Sequence, residues 1–212
     1  CYVYCMNRRS FLALTGAGAT ASLAGCLPDV ERVQELPRPV KGDEESEVVL
    51  RVFEDFGCPA CRQYELNVVP SLEEDYIETN EIRYEFYDYV IPANPEWSNV
   101  LANAARGVQD RAGNDAFWEF ISAVFENQTQ LSTELLREQG ESAGVEEVDT
   151  WLNDSEAGVY EPVIESDIDL GNNEYDVSGT PTLVLNDQVL SSQAAGNYEL
   201  LSSAIEEQLN SE

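Results

Sequence analysis

The feature that most constrains this chain is a pair of cysteines, Cys58 and Cys61, that falls between a strand pattern and a helix pattern. The β-type apolar run of residues 48–53 precedes the pair, and apolar residues at helical spacing follow it. Pro59 stands where the first residue of that helix is expected, because the missing N–H of proline costs no hydrogen bond there. The sequence therefore predicts that Cys58 lies at a helix N-terminus and that Cys61 is more deeply buried.

This placement predicts different roles for the two thiols. Unpaired N–H groups and the helix dipole favour an anion at Cys58, which lowers a thiol pKa below its free value of about 8.5. We therefore expect Cys58 to be the nucleophile and Cys61 to be the resolving cysteine within disulfide reach. A purely structural disulfide is disfavoured because so short a loop removes little chain entropy. The expected chemistry needs no cofactor beyond the Cys58–Cys61 disulfide.

The composition narrows the possible functions. The chain has 41 acidic and 11 basic residues and a net charge of −30, which argues against a nucleic-acid partner. It contains no histidine, which excludes Ser-His-Asp triads and His metal sites; without a second C-x-x-C, a zinc site is also not expected. The acids are spread along a chain that is 43% hydrophobic, which favours a packed core over disorder. A net charge of −30 would destabilise a compact chain by self-repulsion, and about 1 M salt would largely screen that repulsion. The composition therefore resembles that of extreme halophiles.

The N-terminal residues resemble an export signal. Arg8 and Arg9 precede an apolar stretch over residues 11–25 that is too short to span a bilayer, as in a twin-arginine signal starting at Met6. Residues 23–26 look like a lipobox, which implies lipidation of Cys26 and anchoring to the outer face of the cytoplasmic membrane. A buried hydrophobic helix, or cleavage without lipidation, is the alternative. Residues 1–26 are thus predicted to be the signal.

The rest of the chain predicts one α/β domain over residues 48–212, after a Pro-containing acidic linker over residues 27–47. Pro70 is expected to kink or split the first helix. The remaining predicted elements are a strand at 82–90, a helical block at about 97–175, a β-hairpin at 182–190 and a final helix capped by Asn197. The order is β-α-β, a helical block, then β-β-α.

Three stretches resemble the thioredoxin superfamily and, within it, the DsbA-like proteins with a helical insertion. They are residues 52–61 (VFEDFGCPAC), 117–120 (FWEF) and 177–182 (VSGTPT). The resemblance implies a thioredoxin-like fold in which Pro181 is cis and lies against the cysteine pair. It also implies that the backbone of Thr180 pairs with a bound substrate peptide, beside Pro59 and Ala60. Without the cysteine motif, residues 179–181 would be interpreted as an ordinary turn.

The chain departs from the family pattern at two places. Pro59 and Ala60 stand between the cysteines, where the family's oxidants often carry a histidine. Val52 stands where many thioredoxin-like proteins carry a buried acid that relays protons. Glu54 and Asp55 lie closer to the cysteines and could serve as this relay or be solvated loop acids. We favour the solvated interpretation for Glu54 and leave Asp55 open.

The favoured hypothesis is an extracytoplasmic dithiol–disulfide oxidoreductase that acts on exported proteins. By the resemblance, a membrane redox partner regenerates its disulfide. A reductase of the same fold is the first alternative, because sequence does not set the reduction potential. The non-enzymatic alternatives are a soft-metal carrier with two thiolates and an acidic binding protein with a structural disulfide.

Overall fold

The computed structural model describes residues 30–211, which form a mixed five-stranded sheet with helices on both faces. The strands are Val40–Gly42 (β1), Val49–Glu54 (β2), Arg83–Asp88 (β3), Thr182–Leu185 (β4) and Gln188–Val189 (β5). The α-helices are Pro59–Asn67 (α1), Val69–Leu72 (α2), Ser98–Ala112 (α3), Asn114–Glu126 (α4), Thr133–Ser142 (α5), Val148–Ala157 (α6), Glu161–Tyr175 (α7) and Tyr198–Leu209 (α8). A π-helical turn covers Glu73–Ile77, and 3₁₀ turns cover Gln128–Gln130 and Ala194–Gly196.

The sheet has the strand order β1-β3-β2-β4-β5. β2 and β3 are parallel and are joined through α1, whereas the other pairs are antiparallel. Alternate residues of each strand point to opposite faces, so two apolar clusters form. Leu50, Val52 and Phe86 belong to the larger cluster, and Phe53 and Tyr87 belong to the smaller one.

The structure confirms the predicted thioredoxin-like α/β order and the helical insertion, which comprises α3 to α7. α1 ends at Asn67 and α2 begins at Val69, so the chain is divided next to Pro70 as expected. Asn197 caps α8, because its side chain accepts a hydrogen bond from the N–H of Leu200. These features were predictable because each depends on a short stretch of sequence.

The linker prediction for residues 27–47 is wrong over much of its length. β1 pairs with the edge of β3, and the N–H of Phe86 donates to the carbonyl of Pro39 at 3.1 Å. Further upstream, the N–H of Val33 donates to the carbonyl of Val159 at 2.9 Å. Pairing with a sheet edge uses backbone groups, so it requires no apolar periodicity that the sequence could display.

The predicted signal residues, including Arg8, Arg9 and Cys26, lie outside the described residues. Their export and lipidation therefore stay predictions. Within residues 30–211, no helix combines the length and the apolar character that crossing a membrane requires.

Candidate active site

Cys58 and Cys61 are free thiols at the N-terminus of α1. Cys58 is the N-cap residue with an extended backbone, and its N–H donates to the carbonyl of Asp55 at 2.9 Å. Pro59 follows at the first helical position, as the sequence predicts. Cys58 is 6% exposed and Cys61 is fully buried, whereas Pro59 and Ala60 are exposed beside them. The helix thus presents one thiol near the surface and holds the other inside.

The loop before β4 covers Cys58. The Thr180–Pro181 peptide bond is cis, as the resemblance implies. The carbonyl of Thr180 accepts a hydrogen bond from the thiol of Cys58, with an S–O distance of 3.4 Å. The Thr180 hydroxyl is buried and has no hydrogen-bond partner among the described residues, and it lies close enough to Cys58 to favour the thiolate form. The structure therefore brings Thr180 and Cys58 together, although they are far apart in sequence.

These contacts make Cys58 the more acidic thiol. The pKa of Cys58 is lowered to about 5, chiefly by a hydrogen bond from the Cys61 thiol and against the opposing effect of partial burial. The Thr180 side chain and the backbone N–H groups of Cys61 and Ala60 contribute to the same lowering. Hydrogen bonds to a thiolate act in this direction because they stabilise the charged form. Cys58 can therefore be a thiolate at neutral pH without a neighbouring histidine.

Cys61 has the opposite environment. Burial raises its pKa well above the ordinary value, and the hydrogen bond to Cys58 and the charge of Glu54 raise it further. Cys61 therefore holds its proton at neutral pH and needs an acceptor before it can attack a disulfide. Among the described residues, Glu54 is the acid whose carboxyl lies next to this thiol.

The expectation that Glu54 is a solvated loop acid is wrong. Glu54 is the last residue of β2 and is fully buried. Its carboxyl lies beside the side chains of Cys61 and Glu65, and burial raises its pKa well above the ordinary range. Sequence reasoning failed here because the depth of a strand's last residue depends on what packs over it.

Glu65 was missed by the sequence analysis. It lies on α1 four residues after Cys61, which places the two side chains on the same helix face. Burial raises the pKa of Glu65 to about 7, although Glu54 and Lys41 both act to lower it. The spacing from Cys61 was a signal that could have identified this residue.

Asp55 organises the loop that carries Cys58. Its carboxylate accepts hydrogen bonds from the N–H of Gly57 at 2.6 Å, of Ile91 at 2.8 Å and of Ala93 at 3.4 Å. The carboxylate therefore ties the cysteine loop to the segment after β3. Because these backbone donors occupy both of its oxygens, Asp55 is better suited to holding the loop than to relaying protons.

Gln128 holds the same loop from the helical insertion. Its side-chain Nε2 donates to the carbonyls of Phe56 at 2.8 Å and Cys58 at 3.0 Å. Gln128 belongs to a 3₁₀ turn after α4, and nothing in its local sequence connects it with the cysteines. The insertion thus helps to fix the backbone on which the reactive thiol is carried.

Within the described part of the chain, no three or more Cys, Asp or Glu side chains are grouped so that they could hold a metal ion. The candidate site comprises the two thiols, the Thr180–Pro181 loop and the neighbouring carboxyls of Glu54 and Glu65. Such an arrangement can form, attack and release disulfides through its own cysteines.

Comparisons with known proteins agree with this geometry. A sequence profile of the family described as Thioredoxin matches residues 34–207. Disulfide bond formation protein D from Bacillus subtilis (strain 168) is 25% identical over 177 residues, covering 81% of this chain and 77% of that protein.

Two crystal structures are similar to this chain. That of oxidised BdbD from Bacillus subtilis has a TM-score of 0.73 at 24% identity, covers 85% of this chain and 99% of its own, and shows the shared fold. That of the thiol-disulfide exchange protein alpha-DsbA2 from Wolbachia pipientis has a TM-score of 0.67 at 25% identity. This second match covers 82% of this chain and 88% of the other.

Proposed function

This chain belongs to the thioredoxin family and is a DsbA-like thiol–disulfide oxidoreductase, and from that premise we propose that it oxidises exported proteins outside the cytoplasm through Cys58 and Cys61. The observation that carries the proposal is the opposite perturbation of the two thiols: the pKa of Cys58 is lowered to about 5, and that of Cys61 is raised. A stabilised thiolate at the nucleophilic cysteine favours the reduced form of the protein. A protein whose reduced form is stabilised is a stronger oxidant.

The proposed reaction begins with the Cys58–Cys61 disulfide. A substrate thiolate attacks the sulfur of Cys58, the Cys58–Cys61 bond breaks, and Cys61 leaves with the electron pair and takes up a proton. A second substrate thiolate then attacks the substrate sulfur of the mixed disulfide, and Cys58 leaves as a thiolate. The substrate gains a disulfide and the protein gains two electrons, which a membrane redox partner must remove to regenerate the oxidised form.

Thr180, Pro181, Pro59 and Ala60 are proposed to contact the substrate. Pro59 and Ala60 are exposed beside Cys58, and Thr180 lies against its sulfur. Glu54 is proposed to exchange the proton of Cys61, because its carboxyl lies beside that thiol. General acid–base catalysis requires a group that reaches the transferred proton directly or through one water.

The proposed location is the outer face of the cytoplasmic membrane, reached by twin-arginine export and held by a lipid on Cys26. The signal-like sequence of residues 6–26 supports this location. Disulfides also persist in oxidising compartments outside the cytoplasm, where an oxidant of this kind is useful.

The test uses Cys58→Ser and Cys61→Ser in the full domain, in concentrated salt, with a reduced unfolded protein as substrate. We expect Cys58→Ser to abolish disulfide transfer and Cys61→Ser to accumulate a covalent mixed disulfide through Cys58. Folding is checked by circular dichroism for both variants. Full transfer by Cys58→Ser would falsify the proposal.

The direction of electron flow is tested by equilibrating the wild-type pair with glutathione buffers. A reduction potential near about −120 mV supports the oxidant, and one near about −270 mV supports a reductase instead.

A further inference from the structure

Arg62 is a half-buried cation that directly follows Cys61 and has no acidic partner among the described residues. Basic residues are scarce in this chain, and ion pairs hold most of those described: Arg38, Lys41, Arg51, Arg83, Arg106, Arg111 and Arg137. Within the described part of the chain, only Arg62 and the fully exposed Arg32 form no such pair. In a chain with 41 acidic residues, an unpaired arginine next to the reactive thiols points to an acidic partner outside the protein.

The guanidinium of Arg62 leaves most of its hydrogen-bond donors unused. Its Nη2 donates to the carbonyl of Glu126 at 3.4 Å, and its Nε is buried without an acceptor among the described residues. Contact with the last carbonyls of α4 is favourable for an arginine, but that contact occupies a single N–H group. The other N–H groups form a planar fork, and a carboxylate is the acceptor that matches this fork.

Arg62 lies one helical turn after Cys58 on the same face of α1. Its N–H donates to the carbonyl of Cys58 at 3.2 Å, and Nε2 of Gln128 donates to the same carbonyl at 3.0 Å. The guanidinium therefore lies where the helical insertion meets the cysteine loop. Four residues of helix rise by about 6 Å. An extended polypeptide advances about 3.3 Å per residue, so a substrate side chain two residues from the reacting cysteine is level with Arg62.

The chain segments that meet at Cys58 contain no charged residue, and they are residues 56–61, 89–95, 127–133 and 177–186. The carboxylate of Asp55 joins the first two segments, Gln128 joins the third to the first, and Thr180 contacts Cys58 from the fourth. Asp55 itself is fully buried. An acidic substrate therefore meets no like charge from these segments, whereas a net charge of −30 opposes its approach to the protein as a whole.

We propose that Arg62 is a specificity-determining residue that binds a carboxylate of the substrate, and that the substrates are acid-rich polypeptide segments. This inference rests on the proposed function of the cysteine pair. Salt acts on every exported protein alike, so substrates with the acidic composition of this chain are expected. At about 1 M salt the Debye length is about 3 Å, so Arg62 selects such substrates by direct contact and not by attraction at a distance.

The experiment compares three synthetic peptides as reductants of the oxidised full domain. Each peptide carries two cysteines, and the residues two positions from each cysteine are glutamate, glutamine or lysine. Single-turnover reduction of the Cys58–Cys61 disulfide is measured against peptide concentration in concentrated salt, by acid quenching and thiol alkylation. In the wild type, the glutamate peptide should reach its half-maximal rate at about fivefold lower concentration than the glutamine peptide, as expected for one charge-assisted contact. The lysine peptide should require the highest concentration.

Variants of Arg62 change this order in defined ways. Arg62→Met should bring the ratio between the glutamate and glutamine peptides to about one, and Arg62→Glu should reverse the order in favour of the lysine peptide. Arg62→Lys keeps the charge without the fork and should retain part of the ratio. Arg137→Met is the matched control, because it removes an arginine of α5 that is paired with Asp149 and should leave the ratio at its wild-type value.

The half-saturating concentration separates recognition from other roles of Arg62. If Arg62 acted on the thiol chemistry, its replacement would lower the maximal rate for all three peptides alike. If it only held the end of α4, Arg62→Met would lower the free energy of unfolding and leave the peptide ratio unchanged. Either result, or equal half-saturating concentrations of the glutamate and glutamine peptides in the wild type, overturns the role of Arg62 while disulfide exchange continues. A wild-type protein that oxidises none of the peptides overturns the proposed function instead. Circular dichroism checks the fold of each variant, and Arg62→Lys decides if Arg62→Met does not fold.

Discussion

Two buried carboxyls stand side by side in the sheet and have opposite surroundings. Glu54 ends β2, Asp88 ends β3, and the two residues are partners in the parallel register. Both are fully buried. Glu54 faces another acid, Glu65, whereas Asp88 accepts a hydrogen bond from Nε of Arg106 at 2.6 Å. Glu54 thus lies against a second acid, whereas Asp88 is held in an ion pair.

The Asp88 side forms a network of opposite charges. Nη2 of Arg106 donates to Asp167 at 2.7 Å, and Nη1 of Arg38 donates to the same carboxylate at 2.5 Å. Asp167 also accepts from the backbone N–H of Asp88 at 3.1 Å. The network joins β3, α3, α7 and the segment before β1. Its two arginines and two aspartates balance, whereas the Glu54–Glu65 pair lacks an internal cation.

The largest expected effect concerns the ion-pair network around Asp88. Replacing Arg106 by Met leaves two buried carboxylates without their central cation, which should lower the free energy of unfolding by about 3–5 kcal/mol. Chemical denaturation in concentrated salt measures the loss. Arg111→Met is the matched control on α3, because its ion pair with Asp154 is partly exposed and should contribute less than about 1 kcal/mol. Equal losses in the two variants would contradict the assigned role of the network.

The next effect concerns the Glu54–Glu65 pair, where the substitution should raise the free energy of unfolding instead of lowering it. Burial raises the folded-state pKa of Glu65 to about 7, so its ionisation destabilises the folded protein as pH rises from about 4.5 to about 7. Glu65→Gln removes this term and should be more stable than the wild type at pH above about 7, by up to about 3 kcal/mol. The difference should vanish below about pH 4.5, where the carboxyl is protonated in both states.

Denaturation curves of the two proteins at several pH values measure this difference. Glu126→Gln should follow the wild type throughout, because the side chain of Glu126 is exposed. If Glu65→Gln instead has wild-type stability at every pH, the two carboxyls are not in buried contact.

The smallest expected effect concerns the pKa of Cys58 rather than the carboxyl pair. Thr180→Val removes the hydroxyl that faces the sulfur and should raise the pKa of Cys58 by about one unit, as expected for one hydrogen bond to a charged group. Thr180→Ser keeps a hydroxyl and should retain the wild-type pKa. Thiolate absorbance against pH measures both variants. An unchanged pKa of Cys58 in Thr180→Val would contradict the assigned effect of this hydroxyl on the thiolate.

The sequence predicted the parts of the molecule that depend on short patterns. Pro59 indicated the start of α1, and Asn197 indicated the start of α8, because capping is a local property. The resemblance implied the cis bond before Pro181. The burial of Glu54 and the pairing of β1 with β3 were not predicted, since both depend on segments that are distant in the chain. Gln128 reaches the cysteine loop from the insertion, and no local signal announces that contact.

The hydrogen bond between Val33 and Val159 also limits how far the folded domain can lie from a lipid anchor. A lipid on Cys26, as proposed, would be connected to the folded body by the seven residue steps from Cys26 to Val33, which extend at most about 25 Å. So short a tether would keep the cysteine pair within a thin layer above the lipid surface. Within that layer the local concentration of a membrane-embedded redox partner is high, because both molecules share two dimensions instead of three.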